Sequence, residues 1–233
     1  MPDAGCVFVI DEDEGVRRAL SWRLGGAGHS VETFATGDDF LRSYDPSRLG
    51  CVVSELRLRG LSGIAFVEEL AARAVSIPVI ILTEYGDTQS AVRALKSGAF
   101  DFVEKPIDEG FFPRVAEAIG AHRQCEERRR QYASVRVRFG ALTERERQVM
   151  RAVISGKANK VIAFDLGLSE KTIEAHRARV MQKLQVGSLA ELVRIDALAQ
   201  LTESARTNGD RAPGRLAVVR RNGAAPSHAA TTA

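Results

Sequence analysis

Five polar side chains in the first half of the chain stand at the ends of short apolar runs. They are Asp11, Glu12, Glu55, Thr83 and Lys105. If the runs are parallel strands, their carboxyl ends meet at one edge of a sheet, where sites form. Clustered carboxylates repel one another unless a lysine or a hard cation such as Mg²⁺ offsets them. Each residue alone is typical of a solvated turn, but the five together predict an acidic pocket.

The elements that would position this pocket follow a repeating pattern. Apolar β-branched runs at residues 6–10, 31–34, 51–53, 79–82 and 101–103 alternate with segments of helical spacing. The runs are continuously apolar, which is typical of parallel strands covered by helices on both faces. The pattern predicts a doubly wound α/β domain with a five-stranded parallel sheet over residues 1–120.

The second half of the chain has the cap and turn residues of short helices. Thr143 and Glu146 have the spacing of a capping box, which starts a helix. Asn159 is placed to cap the next helix, Gly167 to make a turn, and Ser169 to cap the helix that follows. This order predicts an all-α domain of four helices that contains a helix-turn-helix.

The helix after Ser169 carries side chains that can read bases in the major groove. Lysine pairs with guanine and glutamate with cytosine, and small alanines let the helix backbone come close to the base edges. The expected base contacts are Lys171, Glu174, Ala175 and Ala178. The alternative for Glu174 is an ion pair with a neighbouring cation.

Phosphate contacts are expected from cationic and hydroxyl side chains around this helix. They are Lys160, Thr172, Arg177, Arg179 and Lys183. Arg177 lies nearer the apolar side of this helix, so the aliphatic part of its side chain can pack while its guanidinium reaches a phosphate or an acid.

Charge is distributed unevenly along the chain. Residues 1–120 carry 19 acidic and 12 basic side chains, whereas residues 121–233 carry 11 acidic and 21 basic ones. This asymmetry indicates that only the second half meets a polyanion, although surface solubility also produces such imbalance. Composition predicts a charged helical linker at 121–140, a DNA-binding domain at 141–203 and a disordered basic tail at 204–233.

Several classes of protein do not fit the sequence. Every apolar run is shorter than the roughly 20 residues that cross a bilayer, and a signal-peptide pattern is missing, so we expect a cytoplasmic protein without a membrane partner. The three cysteines are scattered without metal-ligand spacing. Neither a Gly-rich phosphate loop nor a nucleophile–base pair is present, and we expect no enzymatic activity.

Residues 5–120 resemble the receiver domain of two-component response regulators of the FixJ kind. The resemblance rests on Val9-Ile10-Asp11-Glu12-Asp13-Glu14 and on Asp101-Phe102-Val103-Glu104-Lys105-Pro106. It implies a phosphoryl acceptor at position 55, a histidine kinase as donor, and Mg²⁺ at Asp11 and Glu12. Thr83 and Lys105 would hold the phosphoryl group, and Phe102 would be the aromatic switch residue.

Residues 141–200 resemble the LuxR/NarL-type helix-turn-helix domain. The resemblance rests on three segments: LTERERQV at 142–149, GKANKVIA at 156–163 and LSEKTIEAH at 168–176. It implies a transcription regulator that binds double-stranded DNA at inverted-repeat promoter sites as a homodimer. An activator is expected rather than a repressor. A last helix at 188–199 would help pair the subunits, and RNA polymerase is a further expected partner.

Position 55 departs from the receiver pattern, because the acceptor there is an aspartate and this chain has Glu55. Glutamate places its carboxylate about 1.5 Å farther out, one bond length. Such a displacement costs phosphoryl transfer about 100-fold or more.

Three interpretations of Glu55 stay open. It mimics the phosphorylated state weakly, it leaves the receiver as a dimerisation or docking module, or it still accepts phosphate under a kinase's control. Ordinary phosphorelay is not expected, so neither a kinase nor Mg²⁺ is required. A non-DNA signalling adaptor is the alternative for the whole chain.

Overall fold

The five apolar runs form one parallel sheet. The computed structural model describes residues 5–84 and 86–207, with side chains described as far as residue 200. The strands are β1 (Cys6–Ile10), β2 (Ser30–Phe34), β3 (Gly50–Ser54), β4 (Val79–Thr83) and β5 (Asp101–Glu104). Their order is β2-β1-β3-β4-β5. β2 is added on one side of β1 and β3 to β5 on the other, so the strand order reverses at β1. Ile10 pairs with Ser54 in the register, which places Asp11 and Glu55 side by side.

Helices cover both faces of the sheet. They are α1 (Glu14–Gly26), α2 (Gly37–Ser43), α3 (Gly63–Ala72), α4 (Thr88–Ser97) and α5 (Phe111–Gly140). One core cluster joins Val7 and Val9 of β1 to α1 and α5, and the other joins Phe8 and Ile10 to α2, α3 and α4. Both faces of each inner strand are therefore buried, which explains why the strands are continuously apolar.

The helix α5 runs without interruption from the receiver to the second domain. Its first part packs on the sheet, where buried His122 lies with Nδ1 2.9 Å from the carbonyl oxygen of Gly50. Its last part contributes Val135 to the core of the second domain. The boundary predicted at residue 120 therefore falls inside one helix, and the predicted linker at 121–140 is helical as the continuation of α5.

The second domain contains α6 (Glu144–Ile154), α7 (Asn159–Leu166), α8 (Glu170–Leu184) and α9 (Leu189–Thr207). The predicted capping box of Thr143 and Glu146 is present, and the Ser169 side chain accepts from Thr172 N at the start of α8. Ile162, Ile173 and Leu184 are fully buried in one core. This is a four-helix domain, as predicted.

Two local predictions in this domain are wrong. Ala158, rather than Asn159, is the cap of α7, and Asn159 Oδ1 instead accepts a hydrogen bond from Arg177. The last helix continues to Thr207, so residues 204–207 are helical rather than part of a tail. The rest of the predicted tail, residues 208–233, lies outside the described residues.

Among the described helices, none has both the length and the apolar character needed to cross a membrane. All three cysteines are buried as free thiols.

Candidate switch site and DNA-binding surface

Lys105 binds two carboxylates at the carboxyl edge of the sheet. Its Nζ lies 2.8 Å from Glu55 Oε2 and 3.0 Å from Asp11 Oδ2. All three side chains are nearly buried, with 14% of Lys105, 13% of Glu55 and 8% of Asp11 exposed. Charge-assisted hydrogen bonds in such a setting are the strong kind. The structure thus brings these three residues together at one edge of the sheet, as the sequence predicted.

The ionisation of this group is set by the competition between burial and pairing. Burial opposes the charge of Glu55, but hydrogen bonds from Lys105 and Thr83 outweigh it and hold its pKa below the ordinary value. Burial likewise opposes the charge of Lys105, and its bonds to Glu55 and Asp11 raise its pKa. The Glu55 carboxylate and the Lys105 ammonium are thus both charged at neutral pH.

The other Glu55 oxygen bonds to the backbone. Oε1 accepts from Leu56 N at 2.7 Å and from Arg57 N at 3.3 Å. The start of α3 also lies close to the backbone of Glu55. A Cβ added at Gly63 would lie only 2.5 Å from the Glu55 carbonyl oxygen, so this approach requires glycine. Both carboxylate oxygens are therefore bonded within the chain.

The remaining switch residues also lie at this edge. The Thr83 side chain is fully buried beside Glu55. Phe102 is partly buried and packs against the core cluster of α2, α3 and α4, so its ring is turned inward. These are the positions at which the resemblance predicted a hydroxyl and an aromatic switch.

The second acid of the predicted pair, Glu12, has a partner that the sequence did not indicate. Its Oε2 lies 2.9 Å from Nε of Arg59, and its Oε1 accepts from the backbone N of Arg59. Asp11 Oδ1 accepts from Asp13 N at 3.0 Å. The two residues are 47 positions apart, so no local sequence pattern indicates the contact.

The arrangement does not fit a resident Mg²⁺. Lys105 lies where a cation would offset Asp11 and Glu55, and the carboxylate of Glu12 is directed to Arg59. Within residues 5–84 and 86–207, no group of three His, Cys, Asp or Glu side chains could hold a metal.

The four predicted base-contacting residues share one exposed face of α8. Lys171, Glu174, Ala175 and Ala178 are all exposed, opposite the buried stripe of Ile173, Val180 and Leu184. Neither Lys171 nor Glu174 forms an ion pair with any residue that the structure describes. The ion-pair alternative for Glu174 is thus not seen, and the face is open to a ligand.

Four of the five predicted phosphate contacts divide into two groups. Lys160 and Arg179 are exposed and have no ion pair within the described part of the chain. Thr172 Oγ1 bonds to Ser169 Oγ at 2.8 Å, and Arg177 donates to Asn159 Oδ1 at 2.7 Å. Thr172 thus bonds to the cap of α8, and Arg177 joins the middle of α8 to the first residue of α7.

The Lys183 ammonium is bonded within the domain, a contact that the sequence did not predict. Its Nζ donates to Glu146 Oε2 at 2.7 Å and to the Ala141 carbonyl oxygen at 3.1 Å. Glu146 is 3% exposed, and a buried carboxylate needs a cationic or hydrogen-bonding partner. Lys183 therefore supports the start of α6 inside the domain, and its contact with phosphate stays a prediction. The capping box was visible in the sequence, but the partner of its glutamate was not.

Family models match both halves of the chain. Residues 7–114 match the response regulator receiver domain, and residues 140–195 match the bacterial regulatory proteins of the luxR family. The chain belongs to the response-regulator family. Within that family it is a transcriptional regulator with a receiver and a LuxR-type DNA-binding domain.

The chain is similar to known response regulators over nearly their whole length. The transcriptional regulatory protein FixJ of Azorhizobium caulinodans is 41% identical over 202 residues, which cover 85% of this chain and 95% of that protein. FixJ of Bradyrhizobium diazoefficiens is 39% identical over 198 residues, covering 84% and 96%. The structure of the response regulator StyR has a TM-score of 0.78 at 38% identity, covering 82% of this chain and 98% of that one. Full-length FixJ from B. japonicum has a TM-score of 0.51 at 37% identity, covering 84% and 98%.

Proposed function

We propose that this response regulator regulates transcription without being phosphorylated, because Glu55 holds the switch residues in place of a phosphoryl group. The observation that carries the proposal is the contact of Lys105 Nζ with Glu55 Oε2 at 2.8 Å. In the family pattern the same lysine and the hydroxyl at Thr83 hold the phosphoryl group. In this chain the carboxylate of Glu55 engages both of them.

The inward position of Phe102 supports the same proposal. Phe102 packs on the receiver core, as a phosphorylated switch requires. A carboxylate has one charge and two oxygens, whereas a phosphoryl group has nearly two charges and three oxygens. We therefore expect partial rather than full activation.

The bonding of Glu55 also argues against its acting as a phosphoryl acceptor. An attacking carboxylate oxygen must be free and in line with the phosphorus atom. Oε2 is bound to Lys105, and Oε1 is bound to two backbone amides. Neither a histidine kinase nor Mg²⁺ has a step in the proposed function.

The proposed DNA complex is a homodimer on an inverted repeat. One helix such as α8 reads only a few base pairs, so two copies are needed for a specific promoter site. Lys171, Glu174, Ala175 and Ala178 would contact bases, and Lys160 and Arg179 would contact phosphates. Once on the promoter, the dimer would act on RNA polymerase, as an activator.

A reporter assay in cells tests the role of Glu55. We expect Glu55→Ala to reduce promoter activity about 10-fold, because Lys105 and Thr83 lose their common partner. Glu55→Asp should be low without a kinase and rise when acetyl phosphate or a kinase is supplied, since it restores the acceptor. Glu109→Ala is the matched control, because Glu109 is an exposed acid of the same domain.

Two outcomes would contradict the proposal. Equal activity of Glu55→Ala and the unaltered protein would leave the receiver as a docking module. An acid-labile phosphoryl label on the unaltered protein that is lost in Glu55→Gln would restore control by a kinase.

A further inference from the structure

A groove of about 600 Å³ lies between the end of α5 and the last helix of the DNA-binding domain. Its apolar lining comes from Val135 on α5, Val186 in the turn after α8, and Ile195 and Leu198 on α9. Cavities of 300–1,000 Å³ with an apolar lining and a few polar groups are typical sites for small organic ligands. The groove lies far along the chain from Glu55 and from the exposed face of α8.

The charge of the groove is strongly positive. Three of its lining residues are arginines, Arg130, Arg138 and Arg194, and Glu191 is its one acid. The Glu191 carboxylate accepts from Gly187 N at 2.7 Å, so the turn before α9 already uses it. Arg138 donates to the Leu184 carbonyl oxygen at 3.2 Å. Within the described residues neither Arg130 nor Arg194 has an ion pair, so their charge is not compensated.

We propose that this groove binds a small amphipathic organic anion, such as an aromatic or acyl carboxylate or sulfonate. The guanidinium groups present paired N–H donors that match a carboxylate or sulfonate. The apolar body of the ligand would cover the half-buried side chains of Val186 and Leu198, which inorganic anions cannot do. Because α5 leaves the receiver and α9 belongs to the DNA-binding domain, the bound ligand would connect the two elements.

Other occupants fit the groove less well. The chain's own segment 208–233 carries four arginines and one aspartate, so the groove repels it. A DNA backbone would satisfy the arginines but would leave the apolar lining without a partner. An amphipathic anion satisfies both halves of the lining.

Fluorescence titration of the full chain with 8-anilinonaphthalene-1-sulfonate tests the site. We expect one saturable site per chain and an affinity at least 10-fold weaker in the double variant Arg130→Gln/Arg194→Gln. The matched control is Arg128→Gln/Arg136→Gln, which removes two exposed arginines of α5 that do not line the groove. The control should bind the probe as the unaltered protein does. Decanoate should displace the probe, and equimolar inorganic phosphate should not.

Several results would overturn the proposal. They are equal affinity in both double variants, displacement by phosphate as efficient as by decanoate, and displacement by a random duplex. Arg130→Lys/Arg194→Lys guards against a folding defect, because it keeps the charge and should retain most of the affinity. If it binds as weakly as the glutamine variant while its near-UV circular dichroism is unchanged, charge is not what holds the probe.

Discussion

At the scale of single residues, each domain contains a buried or nearly buried carboxylate that is paired with a lysine. Glu55 is paired with Lys105 across 50 residues of sequence, and Glu146 with Lys183 across 37. In both cases pairing lowers the pKa of the carboxyl group. A buried carboxylate is stabilising only while its partner is present, since removal of the partner leaves an uncompensated charge.

Lys183→Met is expected to destabilise the DNA-binding domain by about 1–3 kcal/mol, because Glu146 loses a buried ion pair whose lysine is itself about one-third exposed. The midpoint of urea unfolding measures the change. The hydrogen bond from Lys183 lowers the folded-state pKa of Glu146, so the pair stabilises the fold above the unfolded-state pKa of glutamate. The stabilisation is lost as pH falls through the folded-state pKa. The difference between the two proteins should therefore be full at pH 7 and vanish in acid.

Lys160→Met is the control for this experiment, since Lys160 is exposed and should change stability by less than about 0.5 kcal/mol. If the Lys183→Met protein has unchanged stability but binds DNA more weakly, Lys183 contacts phosphate and does not stabilise the domain.

At the scale of elements, α8 combines a buried stripe with an open face. Ser169 caps its start, and Gln185 ends it in the left-handed region, with φ of 57°. Ile173, Val180 and Leu184 anchor one side in the core. The helix is held firmly while its other side carries a donor, an acceptor and small residues, which is the requirement for reading bases.

Lys171→Ala and Glu174→Ala should each change which sequences are selected from a random duplex library. A lost base contact should cost about 1–3 kcal/mol of discrimination at the base pair concerned. Lys160→Ala should instead weaken binding to all sequences alike. Arg151→Ala on the exposed side of α6 should have neither effect. Equal losses on random DNA for all three contact variants would show that α8 binds only the backbone.

At the scale of the whole molecule, an acidic receiver is joined to a basic DNA-binding half by the continuous helix α5. The receiver half carries seven more acidic than basic side chains, while the other half has a basic excess of ten. Repulsion from the phosphate backbone is expected to keep the receiver off the DNA. With Lys160 and Arg179 as the proposed phosphate contacts of each subunit, a dimer would make about four such contacts.

Affinity for an inverted repeat should therefore fall about 100-fold between 50 and 200 mM salt, with a log–log slope of about −3 to −4. Lys160→Gln removes two contacts from the dimer and should make the slope shallower by about 2. Fluorescence anisotropy at several salt concentrations measures both slopes. A half-site should bind far more weakly than the full repeat. A response without salt dependence, or equal affinity for half and full sites, would argue against this description.

Much of the candidate site was predictable from the sequence, because it depends on strand ends. The apolar runs indicated parallel strands, and strand ends of a parallel sheet gather at one edge. Asp11, Glu55, Thr83 and Lys105 were therefore expected together. The helix caps Thr143 and Ser169 were predictable for the same kind of reason, since each depends on residues three positions away.

Only the tertiary structure decided which charged groups pair and what the helices enclose. The contacts of Glu12 with Arg59, Lys183 with Glu146 and Arg177 with Asn159 join residues on different elements. The groove beside Val135 exists because α5 continues to Gly140 and α9 packs against it. Periodicity and caps are local properties of the chain and can be read in sequence. The partner of a long side chain depends on the distance between packed elements, and local sequence does not contain that distance.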